Sequence, residues 1–164
     1  MEAILDWRRQ HEAPEIDVAL GLNNLASLYQ AQGKLDAAEP LYQEALEIRR
    51  KALPAGHPDI ATSLHNLAAL YKAQGKLDAA EQLYQEALGI RRKVLPAGHP
   101  DIATSLNNLA SLYRAQGKLD AAEPLYQEAL EIYRKALPAG HPDIAASLNN
   151  LASLYYAQGN LDSA

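Results

Sequence analysis

The chain has 164 residues, no cysteine and a formal net charge of −5. Without thiols it can form no disulfide, thiolate nucleophile or cysteine-based zinc site, and its acidic balance speaks against nucleic acid as partner, because backbone binding rests on clustered Lys and Arg. The start MEAILDWRRQ lacks a basic segment followed by an apolar run, and no stretch approaches the roughly 18 apolar residues of a membrane span, so a cytoplasmic protein that does not enter the membrane is expected.

In chain order, the first expected element is a lone helix near 2–11, a partial repeat ending about residue 15. Three near-identical units follow at 16–57, 58–99 and 100–141, and an incomplete one at 142–164. Asn24, Asn66, Asn108 and Asn150 mark the fixed period of 42 residues. Such a period belongs to a solenoid, in which each unit packs only on its neighbours. The first and third copies, counted from Asn24 and Asn108, differ only at 30/114, 49/133, 62/146 and 65/149.

Each unit divides into two helices. In HPDIATSLHNLAALYKAQGK the apolar Ile60, Leu64, Leu67, Ala68 and Tyr71 recur at three- and four-residue steps and define one helical face. Pro58 suits a first turn, Asp59 the positive end of the helix dipole and Gly75 a left-handed terminus. This is helix A of the pair. Helix B follows after a turn that admits only an antiparallel neighbour, with Leu77, Ala80, Leu83, Tyr84, Ala87, Leu88 and Ile90 on its apolar face. Asp78 and Glu81 read as a capping pair, Pro40 and Pro124 fall within about the first turn of their B helices, and Arg91, Arg92 and Lys93 complement the negative end of the dipole. Helices are expected over 16–32, 36–52, 58–74, 78–94, 100–116, 120–136 and 142–158.

The pattern NLA-x-LY-x-AQGKL, followed by AE-x-LYQEAL-x-I, resembles the tetratricopeptide repeat. The 42-residue period with its HPD linker resembles the variety found in kinesin light chains and their bacterial relatives. The resemblance implies an all-α solenoid of antiparallel helix pairs wound as a right-handed superhelix, with A helices lining a concave groove that binds peptides. The heptad region of the light chains is missing from this sequence.

The copies can be compared with one another. Within helix A the last three copies differ from one another in four columns, which with the first copy read Leu20/Thr62/Thr104/Ala146, Asn23/His65/Asn107/Asn149, Ser27/Ala69/Ser111/Ser153 and Gln30/Lys72/Arg114/Tyr156. Spaced i, i+3, i+7 and i+10, these share one stripe about 80° wide beside the core face. Packing fixes core residues, whereas a surface that meets a ligand is free to vary along its length. Harmless drift of duplicated repeats would leave the same mark; a stripe of small, polar, mostly uncharged residues favours binding. With Asn24, Asn66, Asn108 and Asn150 the stripe offers amides that donate to and accept from a peptide backbone. Lys72 and Arg114 make it mildly basic, suited to an acidic protein or peptide ligand.

His57, His99 and His141, each two residues before an Asp, invite a metal site, but equivalent residues in neighbouring repeats lie at least a helix spacing of about 8–10 Å apart. They are assigned to helix starts, with no metal, no cofactor and no catalytic residue expected. The tyrosines at core spacing are assigned to packing, and Trp7, in the column of Arg49, Arg91 and Tyr133, to an N-terminal cap. The alternative to a peptide-binding module is a structural or engineered self-associating array with no dedicated ligand. The chain opens midway through a B helix at Met1 and stops as another begins at Ala164, so head-to-tail self-association is also expected.

Overall fold

The computed structural model describes residues 15–159. The lone helix near 2–11, Trp7 and the junction of Ala164 with Met1 lie outside the described residues. Among these there are seven helices and no strand: α1 (Glu15–Ala31), α2 (Leu35–Ala52), α3 (Pro58–Ala73), α4 (Leu77–Val94), α5 (Pro100–Ala115), α6 (Leu119–Ala136) and α7 (Pro142–Gln158). The bounds of these seven agree with the expected ones within one residue. The helices fall into two compact units, one up to Ala55 and one from Gly56.

The A-to-B turn repeats one device. Gly75 takes φ +76°, Lys76 N–H donates to the Tyr71 carbonyl at 2.9 Å and Gly75 N–H to that of Lys72 at 3.1 Å. This pair of bonds closes the helix end as a Schellman motif, which needs the left-handed residue that glycine supplies without a Cβ clash. At the start of each A helix of the second unit a histidine is the N-cap: Nδ1 of His57, His99 and His141 accepts from the backbone N–H of Asp59, Asp101 and Asp143 at 3.1–3.2 Å. An imidazole nitrogen thereby takes the place of the usual capping oxygen, and Pro58, Pro100 and Pro142 follow in the first turn.

Two local expectations are corrected. Asp78 is the second residue of α4 and the N-cap is Lys76, which makes no side-chain cap, so Asp78 and Glu81 form no capping pair. The carboxylate of Glu81 instead accepts from Gln116 Nε2 at 3.0 Å and Lys118 Nζ at 2.9 Å, both belonging to the next repeat. Pro40 and Pro124 stand sixth in α2 and α6, in the second turn, where each forgoes one backbone bond. Gln82 occupies that place in α4.

In the first unit α1 and α2 pack through Ala19, Ala26, Ala38, Tyr42, Ala45 and Leu46, all buried. In the second, Ala68, Tyr84, Leu88, Leu106, Leu109 and Tyr133 form one buried cluster. Ala110, Tyr126, Leu130, Leu151 and Leu154 belong to the cluster beneath α7. A fully buried leucine contributes about 2 kcal/mol relative to one left in water, so these shared letters hold the pairs together whatever the variable columns carry.

Candidate functional site

In the second unit the variable stripe bridges successive A helices. Lys72 Nζ of α3 donates to Ser111 Oγ of α5 at 2.6 Å. Asn107 Nδ2 of α5 donates to Ser147 Oγ of α7 at 2.9 Å. Arg114 follows Ser111 by one turn, close enough for its charge to act on both Lys72 and Tyr126. Lys72, Ser111 and Arg114 are thereby brought together.

Other stripe residues are directed elsewhere. The Asn108 amide turns back to the Thr104 carbonyl at 2.9 Å, and the Ser153 hydroxyl to that of Asn149 at 2.8 Å. Asn66 and Asn150 are half-buried, Asn149 is exposed and Tyr156 is 73% exposed. In the first unit Asn23 is buried, Asn24 and Ser27 are exposed, and Gln30 Oε1 accepts from Tyr42 OH at 3.1 Å. The stripe is therefore not uniformly separate from the core: its second column, with Asn23 buried and His65 half-buried, packs inward.

Burial sets the electrostatics. His65 stacks edge-on against Tyr84 with ring centroids 5.5 Å apart, and its Nδ1 is buried without a hydrogen-bond partner. Desolvation, and then the Arg91 charge, bring its pKa down to about 4. Burial raises Tyr84 to about 12. Lys72 is lowered first by burial and then by the Arg114 charge. No carboxylate among the described residues pairs with Lys72 or Arg114.

Sequence reasoning missed Arg91. Assigned with Arg92 and Lys93 to the helix dipole, it turns inward, donating from Nη1 to Ser105 Oγ at 2.6 Å, and burial lowers its pKa. Arg49, at the same place in the first unit, is only 5% exposed. Tyr133 replaces them in α6, sharing a 2.8 Å hydrogen bond with Thr104 Oγ1. The signal was present, because 49/91/133 is a column in which the copies differ. Arg92 pairs with both oxygens of Glu128 at 2.7 Å.

A cleft of about 520 Å³ lies beside that pair, lined by Arg92, Gly98, Ile102, Glu128, Ile132 and Lys135. Its cations are already matched, Arg92 by Glu128 and Lys135 by Glu131. The A-helix stripe differs in holding Lys72 and Arg114, with which no carboxylate among the described residues pairs.

A family model, tetratricopeptide repeat, matches residues 17–93 and 101–164. The chain belongs to the tetratricopeptide-repeat family. Tetratricopeptide repeats are generally protein-interaction modules, and the kinesin-light-chain-like type is borne out by solved structures. One, described as nearly identical TPR-like repeats of a putative kinesin light chain from Podosopora anserina, is 31% identical with a TM-score of 0.84, covering 92% of this chain and 71% of that one. A variant of that protein with one substitution is 30% identical, also with a TM-score of 0.84 and the same coverage of 92% and 71%. BtubC (BKLC) from P. vanneervenii is 30% identical with a TM-score of 0.80, covering 98% of this chain and 63% of that one. No curated protein matches the chain. Among the described residues of this repeat protein no helix is long and apolar enough to cross a membrane, and no three His, Asp or Glu residues gather where they could hold a metal ion.

Proposed function

We propose that the chain is a protein-interaction module whose A-helix stripe binds an extended acidic segment of a partner. The observation that carries this reading is the placement of Lys72 and Arg114 on adjacent A helices, half-buried, near enough for one charge to act on the other, and with a serine hydroxyl instead of a carboxylate as the partner of Lys72. Half-buried cations without a counter-charge are costly unless a ligand compensates them. The half-buried Asn66 adds to the stripe an amide able to meet a peptide backbone.

The test is the double variant Lys72→Glu and Arg114→Glu in the full chain, titrated against a fluorescent Asp/Glu-rich peptide of about ten residues. Individual exposed charge pairs contribute about 0–1 kcal/mol, so reversal of two should weaken binding about tenfold or more. The wild-type affinity should fall as salt rises. Equal affinity in wild type and variant, with the helical circular dichroism intact in both, would remove the stripe from the site.

A further inference from the structure

The surroundings of Arg114 contain a surplus of hydrogen-bond donors. In the first unit the residue of the same column is Gln30, and its side-chain oxygen accepts from Tyr42 OH at 3.1 Å. Tyr126 is the counterpart of Tyr42, but Arg114 replaces the amide, and a guanidinium has five N–H donors and no acceptor. Tyr126 is fully buried, and its hydroxyl has no acceptor in the place that the Gln30 amide oxygen takes for Tyr42. Ser111 lies beside that hydroxyl and already accepts from Lys72 Nζ at 2.6 Å, so its own O–H is available to donate.

Lys72, Ser111, Arg114 and Tyr126 thus converge from three helices with two formal positive charges and no carboxylate among them. A monoanionic carboxylate would leave one charge uncompensated. A phosphate monoester carries about −1.5 to −2 charges near neutral pH and three strong acceptor oxygens. Such a group can take Lys72 on one oxygen, Ser111 on a second and the guanidinium fork of Arg114 on the third.

We propose that Lys72, Ser111 and Arg114 form a seat for a phosphoryl group carried by the partner segment, so that phosphorylation of the partner strengthens its binding. This rests on the reading of the A-helix stripe as the binding surface and adds to it the identity of one anchoring group. The α5–α7 step has no equivalent seat, because Tyr156 stands where Arg114 and Lys72 do, so of the two steps in the second unit the α3–α5 step is the one that anchors binding.

The test uses the full chain and inorganic phosphate, compared with acetate at matched ionic strength, followed by the backbone amide resonances of residues 107–115. A second arm compares one acid-rich peptide carrying phosphoserine with the same peptide carrying glutamate. Arg114→Gln is the informative variant, since Gln30 shows that the fold accepts glutamine there and gives the tyrosine hydroxyl an acceptor. Lys72→Gln is its companion and Lys93→Gln, an exposed position on α4, the control. Phosphate should bind saturably and at least tenfold more tightly than acetate. The phosphoserine peptide should exceed the glutamate peptide by a similar factor, and both preferences should vanish in Arg114→Gln and Lys72→Gln but persist in Lys93→Gln. Equal binding of phosphate and acetate, both lost in the variants, would overturn the phosphoryl seat and leave the acidic-segment reading standing. Phosphate binding unchanged by Arg114→Gln and Lys72→Gln would overturn the seat as well, and if the glutamate peptide were equally indifferent the acidic-segment reading would fall with it.

Discussion

The second unit contains two successive repeat junctions made from almost the same letters, and they differ in charge. Where α3–α4 meets α5–α6, Lys72 and Arg91 each donate to a serine of α5, Ser111 and Ser105, and Glu81 receives Lys118. Where α5–α6 meets α7, a neutral amide reaches Ser147, Tyr133 stands in the place of arginine, and Glu123 accepts from Tyr155 and Gln158. The apolar columns are common to both, so the fold is indifferent to the change. The repeat framework therefore leaves the polar columns free to set what each step of the A-helix face can bind.

The largest expected effect separates two members of one apolar column. Leu106 is fully buried between the pairs and its counterpart Leu148 is 42% exposed. Leu106→Ala should cost about 2–5 kcal/mol, read as a drop in denaturant midpoint, and Leu148→Ala about 1 kcal/mol or less. Equal losses would mean that the two junctions do not differ in packing as described.

The next effect lies in the pH dependence. The folded pKa of His65, about 4 because of burial, is below its unfolded value of about 6.5. Above that unfolded value the neutral ring costs nothing. As pH falls from about 6.5 to 4 the unfolded chain takes up the proton first, and about 3 kcal/mol of stability is lost. His65→Asn, which imports the residue of the second junction, should flatten this part of the stability profile without altering the far-ultraviolet spectrum. A profile identical to wild type between those pH values would contradict the burial of the imidazole.

A smaller difference is expected at the carboxylates. Lys118 and Gln116 hold the pKa of Glu81 below the usual carboxylate range, so its contribution is present above about pH 4.5 and is lost as pH falls through the lowered value. Glu81→Ala should cost about 1 kcal/mol near neutrality. Glu123→Ala should cost less, because the groups that reach it from α7 are the neutral Tyr155 and Gln158. Thermal melts of the two variants rank them, and a greater loss from Glu123→Ala would reverse the comparison.

The helix pairs were legible in the sequence because their causes are local. The three- and four-residue spacing of Ile60, Leu64 and Leu67, the Pro-Asp starts and the Gly75 turn act within one repeat. The stripe was legible because duplication exposes the columns that vary. What was not legible depends on contacts between repeats: Arg91 reaches Ser105 14 residues away, Glu81 receives Gln116 across 35 and Lys72 finds Ser111 across 39. In sequence, Arg91 looks like any cation at a helix end, and only the stacked pair shows that it points inward. The missing acceptor at Tyr126 was equally hidden, since it arises from Arg114 replacing glutamine on another helix.

The most direct measurement is a chemical-shift map of the isotopically labelled full chain titrated with an Asp/Glu-rich peptide of about ten residues. If the A-helix stripe is the binding surface, the amides around Lys72, Asn107, Ser111 and Arg114 shift progressively and saturate, while those of Arg92, Glu128 and Lys135 beside the charge-matched cleft stay fixed. Shifts concentrated at Arg92, Glu128 and Lys135, with Lys72 and Arg114 unmoved, would contradict it.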